Sequence, residues 1–163
     1  VPGAGFLLNN EMGDFNAAPG LTNDQGLIGT PANLAEPGKR MLSSMTPTIL
    51  AKDGKLFMVT GTPGGRTIIN TVLQTILNVV DHGMNAQAAV DAGRIHHQWM
   101  PDVLSYEAQG FSPDTLKALE ARGHALNQRV NQGSAEVIVN NVEAGVLEGG
   151  VDRRVPDGGI AVW

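Results

Sequence analysis

Between residues 68 and 80, Ile68, Ile69, Val72, Leu73, Ile76, Leu77, Val79 and Val80 recur at three- and four-residue spacing. This period predicts a helix over residues 67–82 with a wide apolar stripe, and a stripe of that width must find cover elsewhere in a fold. Gly83 is placed to end it. Upstream, the β-prone runs 46–51 and 55–60 flank Lys52-Asp53-Gly54, which predicts a hairpin around an Asp-Gly turn. Pro63-Gly64-Gly65 joins the hairpin to the helix.

The remaining chain extends the pattern. Phe6-Leu7-Leu8 is a short buried-strand candidate running into the polar turn Asn9 to Asp14. Residues 16–38 are dense in Gly, Pro, Asn and Ala without a sustained period, which marks a lid, a binding loop or a disordered stretch. Asn85 can cap a short helix over 86–92, closed by Gly93. Residues 96–107 read as extended around Pro101. Ser112-Pro113 offers an N-cap followed by proline at the first helical position, predicting a helix to Ala121 with Gly123 beyond. Strands are expected at 126–130, 135–142, 145–147 and 160–163. Hairpins, a paired helical layer and further strands favour an α+β fold with antiparallel pairing over alternating βαβ units.

At 163 residues the chain has the length of one domain, 1–163, able to bury a core. Its net charge of −5 and scattered basic residues argue against a nucleic-acid surface. No apolar run approaches the roughly 18 residues of a membrane helix. Without cysteine there is no disulfide and no thiolate chemistry. The N-terminus, Val-Pro-Gly-Ala-Gly, has no initiator Met, as expected of an excised, processed or truncated piece.

Several residues carry chemistry in more than one way. Gly64-Gly65 is either a strand-to-helix turn needing positive φ, or a pair of exposed amides at a helix N-terminus, where partial positive charge collects and an oxyanion can be held. It fits no phosphate loop, because no Lys-Ser/Thr follows. Ser43-Ser44 is a turn or cap, or a pair of hydroxyl donors to an anion. Neither a Gly-x-Ser-x-Gly elbow nor Ser-x-x-Lys surrounds these serines, so they are better donors than attackers. Glu11 and Asp14 form a solvated acidic loop or a receptor for an ammonium group. His96-His97 invites a metal, yet neighbours in an extended segment face opposite ways and no third ligand stands at zinc spacing. No metal or cofactor is expected. Trp99 and Met100 read as core or interface packing, and Arg153-Arg154 with Asp152 as local ion pairs.

Taken in order, Asn9-Asn10-Glu11-Met12-Gly13-Asp14-Phe15, Gly38-Lys39-Arg40-Met41-Leu42-Ser43-Ser44-Met45-Thr46-Pro47-Thr48, Thr60-Gly61-Thr62-Pro63-Gly64-Gly65, Arg94-Ile95-His96-His97-Gln98-Trp99-Met100-Pro101-Asp102 and Phe111-Ser112-Pro113-Asp114-Thr115-Leu116 resemble the small subunit of the γ-glutamyltransferases. The resemblance is collinear over nearly the whole chain. It implies the small-subunit part of an N-terminal nucleophile hydrolase with a four-layer αββα sandwich, made as a self-cleaving precursor. It implies that Gly64 and Gly65 form the oxyanion hole and that Ser43 and Ser44 bind the substrate α-carboxylate. Asp14 would hold the α-amino group with Glu11 assisting, and residues 19–30 would fall where relatives carry a lid, with Gln25 where an aromatic is common.

The family's attacking residue is a threonine that opens the small subunit and uses its own amine as base. By the resemblance that segment lies upstream of Phe6, and Thr22, Thr30 and Thr46 do not stand in its context. The expected chain therefore carries the oxyanion and recognition parts of a γ-glutamyl transfer or hydrolysis site without the attacking group. Alone it is expected to be inactive. Implied partners are the large subunit of the same precursor and a γ-glutamyl amide or peptide. Uncovered apolar surface would favour self-association, and family analogy implies a periplasmic or secreted location. A related acylase, a poly-γ-glutamate depolymerase, or a catalytically inert binding or assembly fragment are the alternatives.

Overall fold

Asp53 and Gly54 both take positive φ, 52° and 74°, at the tip of the expected hairpin. Asp and Gly tolerate that backbone best, and its twist matches two antiparallel strands. The computed structural model describes residues 3–16, 18–23 and 28–161. Around the turn, β1 (Thr48–Lys52) pairs antiparallel with β2 (Lys55–Gly61). Strand β2 then pairs with β6 (Glu136–Asn141), and β6 with β7 (Val146–Val151), completing an antiparallel sheet of order β1-β2-β6-β7.

One face of this sheet is covered. Met58 and Thr60 of β2 and Val137 and Val139 of β6 are buried, against α1 (Ile68–Val80) and α2 (Ala86–Asp91). Val79, Ala86, Ala89, Val90 and Ala135 complete the core. Asn85 caps α2 as expected, its side chain accepting from the Ala88 amide at 2.8 Å. The opposite face carries a cross-strand row, Ile49, Val59 and Ile138, on which Ile49 is 73% exposed. The wide stripe of α1 divides likewise. Ile68, Val72 and Val79 are buried, whereas Ile69, Leu73, Leu77 and Val80 stay exposed.

A second sheet departs from the expected pairing. Strand β3 (Ile95–His96) is antiparallel to β4 (Leu104–Glu107), but β4 and β5 (Leu126–Arg129) run parallel, joined through α3 (Pro113–Ala121). This is a βαβ crossover, which parallel neighbours require because a tight turn cannot join them. Helix α3 begins as expected, with the Ser112 hydroxyl accepting from the Thr115 amide at 3.1 Å.

Two compact units divide the chain, one of Val1–Ser43 with Trp99–Pro101 and one of Ser44–Gln98 with Asp102–Trp163. Everything above lies in the second. The first holds 3-10 turns at Glu11–Asp14 and Pro31–Asn33 and a parallel bridge from Asn16 to Leu34. Phe6-Leu7-Leu8 is not a strand: it pairs with no strand among the described residues, and Leu7 is 92% exposed. Ile160 and Ala161 join no strand either, while 162–163 lie outside the described residues. So do residues 24–27, including Gln25, in the lid-like segment. Trp99 is 64% exposed and so is not core. The secondary structure is α+β, as the sequence implies.

Candidate functional site

The expected site residues divide between the units: Glu11, Asp14 and Ser43 belong to the first, Ser44, Gly64 and Gly65 to the second. In the first, Glu11 and Asp14 open and close one 3-10 turn, whose start is fixed by the Glu11 amide donating to Asn9 Oδ1 at 3.2 Å. Neither carboxylate has a hydrogen-bond or ion-pair partner among the described residues. Asn33 organises this unit. Its Nδ2 donates to the Asp14 carbonyl at 2.7 Å and to Asn16 Oδ1 at 3.2 Å, while its Oδ1 accepts from the Leu42 amide at 2.8 Å. One side chain thus ties the acidic turn to the residue preceding Ser43. In sequence Asn33 is one polar residue of a loop without period, and only its fixed partners single it out.

Ser43 and Ser44 cap no helix; they lie in irregular backbone leading to β1, with Ser43 exposed and Ser44 half-buried. The Ser44 carbonyl accepts from Thr46 Oγ1 at 3.0 Å, a local turn that leaves the Ser44 hydroxyl uncommitted to this bond.

The diglycine corner follows β2. Gly64 has φ 143° and ψ 8°, and Gly65 has φ 56°, so both occupy backbone that a side chain disfavours. A 3-10 turn, Gly65–Thr67, runs directly into α1. Neither the Gly64 nor the Gly65 amide donates to an acceptor among the described residues. They are unspent donors of a helix N-terminus, where the aligned peptide dipoles leave positive charge. Both glycines are exposed, so the amides are reachable.

Behind the corner, residues 132–135 are held by a buried ionic cluster. Arg94 Nη1 donates to the Gln132 carbonyl at 2.7 Å, and the Gln132 amide donates to Glu107 Oε1 at 2.7 Å. The Ala135 amide donates to Asp152 Oδ2 at 2.7 Å. A Cβ on Gly64 would stand 3.4 Å from the Gly133 Cα, so the held segment abuts the corner. Arg154 pairs with Glu107 and, at 3.1 Å, with Asp152. The expected pairing of Arg154 with Asp152 is thus part of a buried network, and Arg153 turns instead to Asp91 at 3.1 Å. Burial pushes the Asp152 carboxyl up, but the amides of Arg154 and Ala135 and the Arg94 guanidinium outweigh it and hold the group below the usual carboxylate range.

His96 and His97 face different surroundings. His96 is buried, with Nδ1 accepting from Asn70 Nδ2 at 2.9 Å and Nε2 against Gln98 Oε1 at 2.8 Å. His97 is exposed and bonded to Asp102 at 3.0 Å.

An antiparallel sheet covered on one face by two helices, with paired glycine amides opening one helix, defines an α+β scaffold able to hold an anion at that corner. The gamma-glutamyltranspeptidase family pattern matches residues 1–162. The chain belongs to that family. It is 51% identical over 154 residues to the glutathione hydrolase proenzyme of Escherichia coli K12, covering 94% of this chain and 26% of that protein. With the Pseudomonas aeruginosa glutathione hydrolase proenzyme it shares 43% identity over 165 residues, 99% of this chain and 29% of the relative. The chain therefore spans between a quarter and a third of the length of these two relatives. The structure of the Helicobacter pylori gamma-glutamyltranspeptidase T380A mutant superposes with a TM-score of 0.85 at 45% identity, over 95% of this chain and 84% of that one.

Proposed function

We propose that this chain supplies the oxyanion-stabilising and substrate-recognition parts of an enzyme that transfers or hydrolyses γ-glutamyl groups, with glutathione and other γ-glutamyl amides as donors. The observation that carries this is the pair of reachable, undonated amides at Gly64 and Gly65, on positive-φ backbone that most side chains disfavour. When a nucleophile attacks the γ-carbonyl, negative charge develops on its oxygen, and two fixed N–H groups stabilise that charge more than the neutral carbonyl.

A γ-glutamyl group ends in a zwitterion. In this assignment Asp14, assisted by Glu11, holds the ammonium, and the Ser43 and Ser44 hydroxyls hold the carboxylate. That fixes the orientation in which the γ-carbonyl meets the attacking group. The attack comes from a threonine hydroxyl outside these residues, whose proton passes to its own amine. The amide nitrogen leaves protonated, and the γ-glutamyl ester passes to water or to an amino-acid or peptide acceptor.

The large subunit of the same precursor is the proposed partner. It would cover the face bearing Ile49 and Ile138 and the outer stripe of α1, which otherwise leave apolar surface in water. Alone, the chain self-associates through these surfaces. No helix of the described residues is long and apolar enough to cross a membrane, and a periplasmic or secreted location is proposed by analogy with bacterial members of the family.

A chromogenic γ-glutamyl anilide tests the assignment. The complete processed protein releases the aniline repeatedly, whereas the chain by itself does not. Turnover of a glutaryl amide in preference to the γ-glutamyl one would instead favour an acylase, because the acidic pair Glu11 and Asp14 has no ammonium to hold on a glutaryl chain.

A further inference from the structure

Each amide of the diglycine corner lies on a peptide plane whose carbonyl is held by a threonine hydroxyl. Thr62 Oγ1 donates to the Pro63 carbonyl at 2.7 Å. Thr67 Oγ1 donates to the Gly64 carbonyl at 3.0 Å, and the Thr67 amide donates to the same oxygen at 3.2 Å. The Pro63–Gly64 and Gly64–Gly65 peptides are trans, the one cis bond among the described residues being Met100–Pro101. A trans peptide is planar, with its C=O and N–H pointing opposite ways. Holding the Pro63 oxygen therefore sets the direction of the Gly64 N–H, and holding the Gly64 oxygen sets that of the Gly65 N–H.

Glycines make such a restraint necessary. With no side chain at Gly64 or Gly65, sterics alone leave these planes free to rotate. Thr62 is anchored in turn, since its Oγ1 accepts the Ser134 amide at 2.8 Å, which leaves its one proton for the Pro63 carbonyl. A hydrogen bond accepted by a carbonyl also polarises its peptide and strengthens the N–H on the far side.

We infer that Thr62 and Thr67 are positioning residues for the oxyanion-stabilising corner, acting through the Gly64 and Gly65 amides without touching substrate. This rests on the proposed role of that corner. Thr62 and Thr67 flank the diglycine at two residues on either side, and their roles differ from those of Thr60 and Thr71. Thr60 Oγ1 donates to the Glu136 carbonyl across the sheet, and the Thr71 side chain faces Gly133 from inside α1.

The test uses the complete processed enzyme carrying Thr62→Val, Thr67→Val, Thr62→Ser or Thr67→Ser. Outright loss of an oxyanion donor costs about 10²–10³ in rate, so a donor that is kept but released should cost about tenfold. Each valine variant should lower kcat/KM for a γ-glutamyl anilide by about that factor and weaken a tetrahedral γ-phosphonate analogue alike. Affinity for L-glutamate, a planar ground-state competitor, should stay unchanged, and each serine variant should recover wild-type behaviour. Valine variants with full kcat/KM, serine variants as impaired as valine, or a matching loss of L-glutamate affinity would each overturn the inference. Should Thr62→Val fail to fold because Ser134 loses its acceptor, Thr67→Val decides, since its hydroxyl serves only the Gly64 carbonyl among the described residues. A further variant replaces the Pro63–Gly64 amide by an ester, deleting the Gly64 N–H. If the ester enzyme keeps full rate, the role of the corner itself fails; a slow ester enzyme beside normal valine variants refutes only the positioning role.

Discussion

Arg94 and Asp152, 58 residues apart in sequence, meet inside the protein with Arg94 Nη2 donating to Asp152 Oδ2 at 2.7 Å. Both side chains are almost wholly shielded from water. The same Oδ2 receives the Ala135 amide, and the same guanidinium holds the Gln132 carbonyl. Two charged side chains thus clamp both ends of the segment that abuts the diglycine corner.

Removing one partner of such a pair strands the other's charge, so Arg94→Met should destabilise the protein by about 3–5 kcal/mol. Thermal melting of the complete protein measures it. Acid provides a second check. Asp152 has its folded pKa below its unfolded value of 3.8, so its stabilisation is fully present above that pH and is lost as pH falls through the lower folded value. Asp152→Asn should therefore flatten the dependence of stability on pH below about 4, while lowering stability at neutral pH. An unchanged acid limb would show that Asp152 is not the group responsible.

The two glycines of the corner should respond differently to a side chain. A Cβ on Gly64 would stand 2.7 Å from Thr67 Oγ1 at a φ of 143°, whereas nothing lies within 4 Å of a Cβ on Gly65 at φ 56°. Gly65→Asn should cost no more than about 1 kcal/mol, because asparagine visits left-handed backbone. Gly64→Ala should cost about 1–3 kcal/mol for its backbone and must also displace the Thr67 hydroxyl. Melting temperature and anilide turnover should both rank Gly65→Asn above Gly64→Ala.

Asn33→Leu removes the link between the Asp14 carbonyl and the Leu42 amide while keeping the side chain's size. The acidic turn and the segment that bears Ser43 then lose their common tie. KM for a γ-glutamyl donor should rise about tenfold or more, with a smaller change in kcat, because binding is lost equally from ground and transition states. Equal KM in the variant would make Asn33 a loop staple without bearing on substrate.

Ser43→Ala with Ser44→Ala removes both proposed carboxylate donors. Hydrogen bonds to a charged group contribute about 1.5–3 kcal/mol each, so the double variant should bind glutamate-like inhibitors at least tenfold more weakly. Isothermal calorimetry on the complete enzyme reads this directly. Unchanged affinity would leave the serines a purely structural part in the approach to β1.

Local chemistry made much of the fold legible. Asp53-Gly54, Asn85 and Ser112-Pro113 specify their turn and caps within a few residues, and the period of Ile68 to Val80 specifies α1. The parallel β4–β5 pair was not legible, because direction depends on which strands become neighbours after α3 crosses over. Phe6-Leu7-Leu8 has a strand's composition but takes no strand conformation, because composition alone does not set pairing. Gly64-Gly65 could be found as a motif, whereas Thr62 and Thr67 acquire meaning only once their hydroxyls are seen on the two carbonyls. Arg94, Glu107 and Asp152 resemble surface charges in sequence; only the fold makes them a buried clamp.

The most direct measurement is a crystal structure of the complete processed enzyme with a tetrahedral γ-phosphonate analogue bound to its attacking threonine. One phosphonate oxygen should lie within about 2.7–3.1 Å of both the Gly64 and the Gly65 nitrogen. An oxygen held by other donors, with the two glycine amides facing water, would contradict the account.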